Sequence, residues 1–581
     1  MVVVPFRSSA SLLQSGLRMM FGAMAAVACG MLYAGYLSGF HDRKFWFSSR
    51  QDLEREASFP GGSGLYYHYY KRLLAAPSFS SGFYQLTADN GTVSGRTINA
   101  VERLFLYPEL ITSFLYRVTG SQNRVEPVSF YLGSVFGLQA VCVSALFVCS
   151  WALSGTCVAG MLAVSWFVIN RQDASRVEQG VPLRENWALP FFSCQVAALT
   201  GFLSRSTGSN PSVVLTRVSL QMFCYLILSA CSFSFLLLWE LGHYFLFVQS
   251  VCLVLLDSLG LVPAYLGSLV LVYLAQFQNA SLLGSPLLSL LIGLVPARYF
   301  QVELAPPPTA LVIVEHFLLT HPTWRPSSLT PFLLFLLRDF VTNFLLCQEA
   351  LRAPGQDLFL RLTQTSLLPF YVLVLTVCLL SALQAISFSR GTWAKNICNT
   401  QQPGYKKNKL SVCPDVSVLF LSCRVKYLWT PYVCMFTAFG VCSPDLWMTL
   451  FKWLRLKSVH PVVLVISTAG CFPLQFYPRV LAELADLQEI YDPDLMELIA
   501  WIRCFLWTLC TAVLVPVQVL VLVPVTQSLC RSQAPAVFAG SPVLLGTIKL
   551  CSGSVVTSLP VYSDLDLLRR TEDVSSDYFI I

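Results

Sequence analysis

The sequence predicts an all-α polytopic membrane protein, and three observations carry that reading. Of the 581 residues, 55% are hydrophobic and only 12% are charged, with a mean hydropathy of +0.62. Soluble domains carry about 25% charged residues, twice that share. The apolar residues gather into runs of roughly 15 to 22, enough to cross or nearly cross a bilayer as helices. The basic residues sit in short clusters between those runs, where the preference of Lys and Arg for the cytosolic side accounts for them. The net charge of +7 is therefore no argument for a nucleic-acid partner.

In chain order, residues 1–16 form a cytosolic N-terminus and 17–38 the first transmembrane helix. No small-residue cleavage pattern precedes His41-Asp42-Arg43-Lys44, so this helix reads as an uncleaved signal anchor. Residues 39–127 then form a polar loop on the lumenal side, and 128–476 a multi-span region. Its apolar runs are Phe130–Trp151, Gly155–Asn170, Trp187–Ser204, Val218–Trp239, His243–Val262, Ala264–Phe277, Ser281–Val295, Thr309–Thr320, Thr365–Ile386, Tyr427–Ser443 and Val459–Phe476. Alternation from a cytosolic N-terminus returns Arg205, Arg217, Arg298 and the cluster Lys406, Lys407 and Lys409 to the cytosol. Lys452, Arg455 and Lys457 require the same side, so the chain crosses twice in between. One crossing is Tyr427–Ser443; the other falls on Leu410–Cys423, which is short and carries Pro414 and Asp415. Residues 477–581 read as a shortened C-terminal region with an atypical apolar insert at 504–530, where Pro516, Pro524 and many valines make a poor helix.

The sequons Asn90-Gly91-Thr92 and Asn279-Ala280-Ser281 both fall on the lumenal side. The 20 cysteines lie in or beside apolar runs, with no CxxC pair and none between His41 and Pro127. They read as small membrane-core residues, and no metal site is expected.

Chemistry is concentrated in two polar segments. Residues 39–127 carry Asp42, Asp52, Glu54, Glu56, Asp89, Glu102 and Glu109, and a short helix bearing Tyr66, Tyr67, Tyr69 and Tyr70 after Gly61, Gly62 and Gly64. Tyrosines suit a membrane interface, apolar in body and wet at the hydroxyl. Glu54 and Glu56 flank Arg55 and read either as reactive carboxylates or as a solvated ion-pair face. The second segment, 170–187, holds Arg171, Arg176 and Arg184, with Glu185 beside the last. Guanidinium groups at a membrane edge grip a lipid-linked phosphate bidentately, or simply anchor the interface. Glu240 and His243 stand at a helix mouth in "WELGHYFLF", where ionisable groups are costly. No Gly-rich phosphate loop, HExxH or Ser/His/Asp arrangement is present.

The stretches "LEREASF", "GLYYHYYKRLLAAPSF", "INAVERLFLYPELI", "VPLRENWALPFF", "QEALRAPGQDLFLRLTQTSLLPFY" and "AVFAGSP" resemble the Dpy-19-like family of protein C-mannosyltransferases, of the GT-C class, over nearly the whole chain. The resemblance implies a GT-C-like bundle of roughly 11–13 transmembrane helices. It implies a multi-pass protein of the endoplasmic reticulum membrane, embedded in lipid, with a lumenal loop after the first helix and a lumenal C-terminal region truncated relative to the family. The implied reaction moves mannose from dolichyl-phosphate mannose to a tryptophan indole in W-x-x-W segments, with no cofactor besides the lipid-linked donor. Removing the indole proton needs a carboxylate, for which Glu54 and Glu56 are the candidates, and Arg176 and Arg184 would bind the donor phosphate.

Two departures open an alternative. The family's R-T-E-M motif has glutamate where this chain has Gly62, and its W-Q-F-T-Q-F motif is altered to Trp239-Glu240-Leu241-Gly242-His243-Tyr244. A catalytically inactive member acting as membrane scaffold or regulator is the second reading. A transporter rests only on the number of spans, without paired broken helices or an inverted repeat.

Overall fold

The computed structural model describes residues 7–45, 52–59, 63–93, 95–177, 183–205, 214–255, 259–299, 356–396, 426–453, 496–503, 537–538 and 542–557. These form two layers, a helical bundle and a smaller polar cap across one end. The elements are α1 (Arg7–Phe45), α2 (Asp52–Ala57), α3 (Ser63–Ala75), α4 (Phe79–Thr87), α5 (Ala100–Leu104), α6 (Tyr107–Val118), α7 (Pro127–Ser154), α8 (Cys157–Ile169), α9 (Arg171–Ala174) and α10 (Arg184–Arg205). They continue with α11 (Val214–Leu238), α12 (Gly242–Leu255), α13 (Val262–Ala275), α14 (Ala280–Leu283), α15 (Pro286–Tyr299), α16 (Gln356–Gln364), α17 (Leu367–Asn396), α18 (Lys426–Cys442), α19 (Pro444–Trp453), β1 (Val537–Phe538), α20 (Pro542–Ser552) and β2 (Val555–Val556).

Among the described residues three helices are long and apolar enough to cross a membrane: Gly16–Lys44, Pro127–Ser154 and Ser219–Leu238. The pair Asp357–Gln364 and Leu367–Ser381, bent by 85°, adds a fourth if counted as one broken span. Cys157–Ile169, Gly242–Val254 and Val262–Ala275 are apolar but shorter. The protein is thus an all-α polytopic membrane protein. The apolar runs Thr309–Thr320, Leu410–Cys423 and Val459–Phe476, the insert 504–530 and Gly62 lie outside the described residues.

The bundle is held by close backbone approach and by the local chemistry of its helices. α1 and α7 meet where Ala26 and Gly30 face Ala140 and Ser144, and Ser144 Oγ donates to the Ala26 carbonyl at 3.0 Å. Small residues four apart are the usual route to close helix contact in lipid, where burial alone gives little attraction. The outer face of α1, with Leu17, Met20, Met24 and Leu32, is exposed as a lipid-facing surface requires. α7 ends at Gly155, whose φ of 75° allows its N–H to close on the Trp151 carbonyl.

Pro190 sits inside α10 and has no N–H for the Asn186 carbonyl four residues back. Gln139 of α7, itself buried, supplies the missing donor at 3.1 Å. Gln139→Leu therefore orphans that carbonyl in an apolar setting. The expected cost is about 1–3 kcal/mol, read as a lowered unfolding temperature in detergent. Cys142→Ala, one turn further along α7, serves as the control.

The cap joins chain segments from both ends. α3 to α6 bury Leu65, Tyr69, Leu73, Leu86, Val101 and Leu104 in one cluster with Ile502, Leu545, Ile548 and Val556. Ser78 caps α4 by accepting from the Ser81 N–H at 3.2 Å, and Asn99 caps α5 by accepting from Glu102 at 3.3 Å. β1 and β2 pair in parallel, and Val93 bridges to Val556. Residues 537–538 and 542–556 thus stand on the same side of the bundle as the loop after α1. The cap also reaches the bundle through Tyr107, whose hydroxyl donates to the Ala275 carbonyl at 2.6 Å, and through Phe83, stacked on Phe277 at 6.3 Å.

A buried anion organises the cap. Asp89, fully buried, accepts from Arg72 at 2.7 Å, from the Tyr69 hydroxyl at 3.0 Å and from Thr92. Burial raises its pKa, but Arg72 and Thr92 outweigh that and hold it below the ordinary carboxylate value. His68 nearby is held neutral, its pKa pushed down to about 3 by burial and by Lys549.

Candidate functional site

The site lies where the cap meets the bundle, around the first turn of α10. Arg184 opens that helix and is nearly fully buried. A helix N-terminus is already electropositive, so an arginine there needs anionic company. Glu109, from the first turn of α6, supplies it: Arg184 Nη2 donates to Glu109 Oε2 at 2.7 Å, and both side chains are buried. The Tyr131 hydroxyl of α7 donates to Glu109 Oε1 at 2.6 Å, so each carboxylate oxygen is engaged. Burial works against the Arg184 charge, but Glu109 outweighs it and keeps the guanidinium protonated.

The aromatic residues of α3 form the wall of this site. The Arg184 guanidinium lies over the Tyr66 ring at 3.8 Å from its centroid, a close cation–π contact. Burial pushes the Tyr66 hydroxyl up, against the pull of Arg184, so it stays neutral. Tyr70 stacks on Tyr131 at 4.7 Å, and Tyr67 and Trp187 each lie 5.7 Å from the Tyr131 ring. Together they fix the Glu109–Arg184 pair between cap and bundle.

Arg176 stands on the other side of the α10 N-terminus. Its Nη1 donates to Glu185 at 2.9 Å, and its guanidinium faces the Tyr427 ring at 5.8 Å. Among the described residues Arg176 Nε, Arg184 Nε and Arg184 Nη1 are buried N–H donors with no acceptor. Buried donors on charged groups are costly to leave unmade. Two arginines and a helix N-terminus with unmade donors constitute an anion-binding arrangement.

A cavity runs from this point into the bundle. Ser175, Arg176 and Asn186 line one end, and Leu146, Val196 and Met435 line its depth between α7, α10 and α18. Its volume is about 40 Å³. From Asn186 to Val196 along α10 it extends about 15 Å. Its walls are apolar below the polar end. Beside that end a second ionic cluster ties three elements: Asp173 accepts from Arg361 at 2.8 Å through both oxygens and from Lys426 at 3.1 Å.

Of the residues singled out in the sequence, Arg176 and Arg184 come together around the α10 N-terminus. Glu54 and Glu56 lie on α2, half-buried, and make no contact with either arginine among the described residues. Glu56 pairs with Lys71, and Arg55 with Glu126 at 2.7 Å. The Glu54 carboxylate has no partner among the described residues. Glu240 is exposed and His243 half-buried, away from the arginines in sequence and on the α11–α12 turn. Glu109 and Tyr131 were missed as site residues. Glu109 was one acidic residue among eight in its loop, and only the fold brings it to Arg184.

Fold and site together define a polytopic membrane protein with a cationic pocket at the head of an apolar cavity, under a folded polar cap. The chain belongs to the Dpy19 family, whose model, described as "Q-cell neuroblast polarisation", matches residues 27–324, 329–506 and 529–579. It is 45% identical to the human "Probable C-mannosyltransferase DPY19L4", over 98% of this chain and 80% of that protein. It is 24% identical to the human "Protein C-mannosyl-transferase DPY19L1", over 96% of this chain and 84% of that one. Against the "C-mannosyltransferase dpy-19" of Caenorhabditis elegans the identity is 25%, over 95% and 83%.

Proposed function

We propose that this chain is a C-mannosyltransferase of the endoplasmic reticulum membrane that moves mannose from dolichyl-phosphate mannose to tryptophan in W-x-x-W segments on the lumenal side. The names of its relatives support the reaction type. The observation that carries the donor assignment is the set of unmade N–H donors on Arg176, at the polar end of an apolar cavity, and on Arg184, which opens α10 beside it. A phosphodiester with a long isoprenoid tail needs both features, cations for its head and an apolar channel for its chain.

In this reading a bond forms between mannose C1 and indole C2, while the bond from C1 to the phosphate oxygen breaks. The electron pair leaves with the lipid phosphate, where Arg176 and Arg184 stabilise the added charge. The indole C2 proton passes to a carboxylate. Glu54 is the stronger candidate of the two on α2, because Lys71 already neutralises Glu56. Glu109 acts through Arg184, as its positioning partner.

The test is mass spectrometry of a W-x-x-W peptide after incubation with dolichyl-phosphate mannose and the purified chain in lipid nanodiscs. A gain of one hexose on tryptophan, lost in Glu54→Gln, is the expected result. An inert chain whose Gly62→Glu variant transfers mannose would instead establish the inactive-relative reading. Transfer that survives Glu54→Gln and fails in Glu56→Gln would move the base to Glu56.

A further inference from the structure

We infer that Asn90 carries an N-linked glycan and that Asn279, in the chain's other sequon, does not. The inference rests on the proposed function, under which the cap, holding the acceptor-side loop after α1, is lumenal.

Asn90 lies in the turn between α4 and α5 with its side chain exposed. Its neighbours are locked. The Asp89 and Ile98 backbones exchange hydrogen bonds at 2.9 and 2.8 Å, and Thr92 is fully buried with its hydroxyl held by Asp89 and Tyr69. The Thr92 carbonyl accepts from the Val556 N–H at 3.0 Å, and Lys549 Nζ reaches the Gly91 carbonyl at 2.8 Å. In the finished fold, then, the hydroxyl of the sequon is inaccessible to a glycosylating enzyme, while the asparagine faces solvent.

The order of synthesis resolves that conflict. Lys549 is 458 residues downstream of Gly91. At about 5–20 residues per second, roughly 20 to 90 s pass before the C-terminal segment can close over the sequon. During that time Asn90-Gly91-Thr92 is an open, glycine-containing loop, the context such acceptors need. Once α20 and β2 dock, Thr92 is sealed and a glycan on Asn90 projects outward without displacing any packed side chain.

Asn279 meets neither condition. It follows the end of α13 at Ala275 by a few residues, in a tight turn where Phe277 and Gln278 have φ of 55° and 59°. Its N–H is bound to the Gln276 carbonyl at 3.2 Å, and Ala280–Leu283 is helical immediately after it. Phe277 packs beneath Phe83 of the cap. A sequon pinned this close to the end of an apolar helix cannot extend into an enzyme that stands above the membrane.

The chemistry is an amide glycosylation. Asn90 Nδ2 bonds to C1 of the first sugar of a lipid-diphosphate-linked oligosaccharide. The bond from C1 to the diphosphate oxygen breaks, the lipid diphosphate leaves with the electron pair, and Nδ2 loses one proton to the enzyme's base.

The test is expression of the full chain in mammalian cells, followed by peptide-N-glycosidase digestion and gel mobility. Variants are Asn90→Gln, Asn279→Gln and Ser78→Asn; the last creates a sequon on an exposed helix cap that asparagine fills equally well. One glycan on the unaltered chain, absent in Asn90→Gln and kept in Asn279→Gln, is expected. The readout does not require the variants to fold. A glycan on Ser78→Asn but none on the unaltered chain would overturn the assignment while leaving the cap lumenal. No glycan on either would overturn the lumenal placement as well, and loss in Asn279→Gln would overturn the choice between sequons.

Discussion

Arg184→Met is expected to abolish mannose transfer and to destabilise the fold, and the two effects separate in the double variant Arg184→Met/Glu109→Leu. The single change leaves Glu109 buried with only the Tyr131 hydroxyl for company. An uncompensated buried charge costs about 3–5 kcal/mol. Removing both partners takes away that penalty, since apolar replacements of a buried ion pair are often neutral or stabilising. The double variant should therefore regain most of the lost unfolding temperature and none of the transfer, because in the proposed function the phosphate grip goes with Arg184. Glu109→Gln tests the positioning role: transfer should fall through a raised donor KM, with kcat less affected, because the guanidinium is freed from its fixed plane over Tyr66. Recovery of transfer in the double variant would remove Arg184 from the donor site.

The elements most legible in the sequence are those whose apolar runs are bounded by their own chemistry. The run Phe130–Trp151 became α7, extended to Pro127 at the start and closed by Gly155 at the end. The run Trp187–Ser204 became α10, which begins three residues earlier because Arg184, Glu185 and Asn186 form its buried first turn under the cap. A hydrophobicity reading ends a span at the first charged residue, and it cannot know that a charge is covered by another part of the chain. The same limit hid Glu109. Its loop is polar throughout, and its partner is distant in sequence. The arginines could be singled out in the sequence because guanidinium groups at a membrane edge have few functions; Glu109 could not, because its loop holds eight carboxylates. Nor did the sequence reveal that residues 537–538 and 542–556 return to the loop after α1, since that contact is made by short strands and by backbone acceptors such as Gly91.

Gly30→Leu is expected to leave no folded protein, while Gly35→Leu, five residues along the same helix, is expected to be tolerated. A Cβ at Gly30 would collide with the backbone carbonyl of Ala140 and with Ser144 Oγ, far inside van der Waals contact. Backbone atoms of a neighbouring helix cannot step aside as a side chain can, so α1 and α7 would have to part along the interface that includes Ala26 and Ser144. Overpacking costs typically about 1–3 kcal/mol where side chains can adjust, and more where they cannot. Nothing lies within 4 Å of a Cβ at Gly35, which faces outward. The measurement is monodispersity and unfolding temperature of the two variants in detergent. Because α7 also carries Tyr131 and Gln139, which hold Glu109 and the Asn186 carbonyl, separation of α1 from α7 should be felt at the site. The milder Gly30→Ala should retain some folded protein, with transfer reduced further than the remaining folded fraction explains. Equal behaviour of Gly30→Leu and Gly35→Leu would mean that the α1–α7 contact does not hold the bundle together.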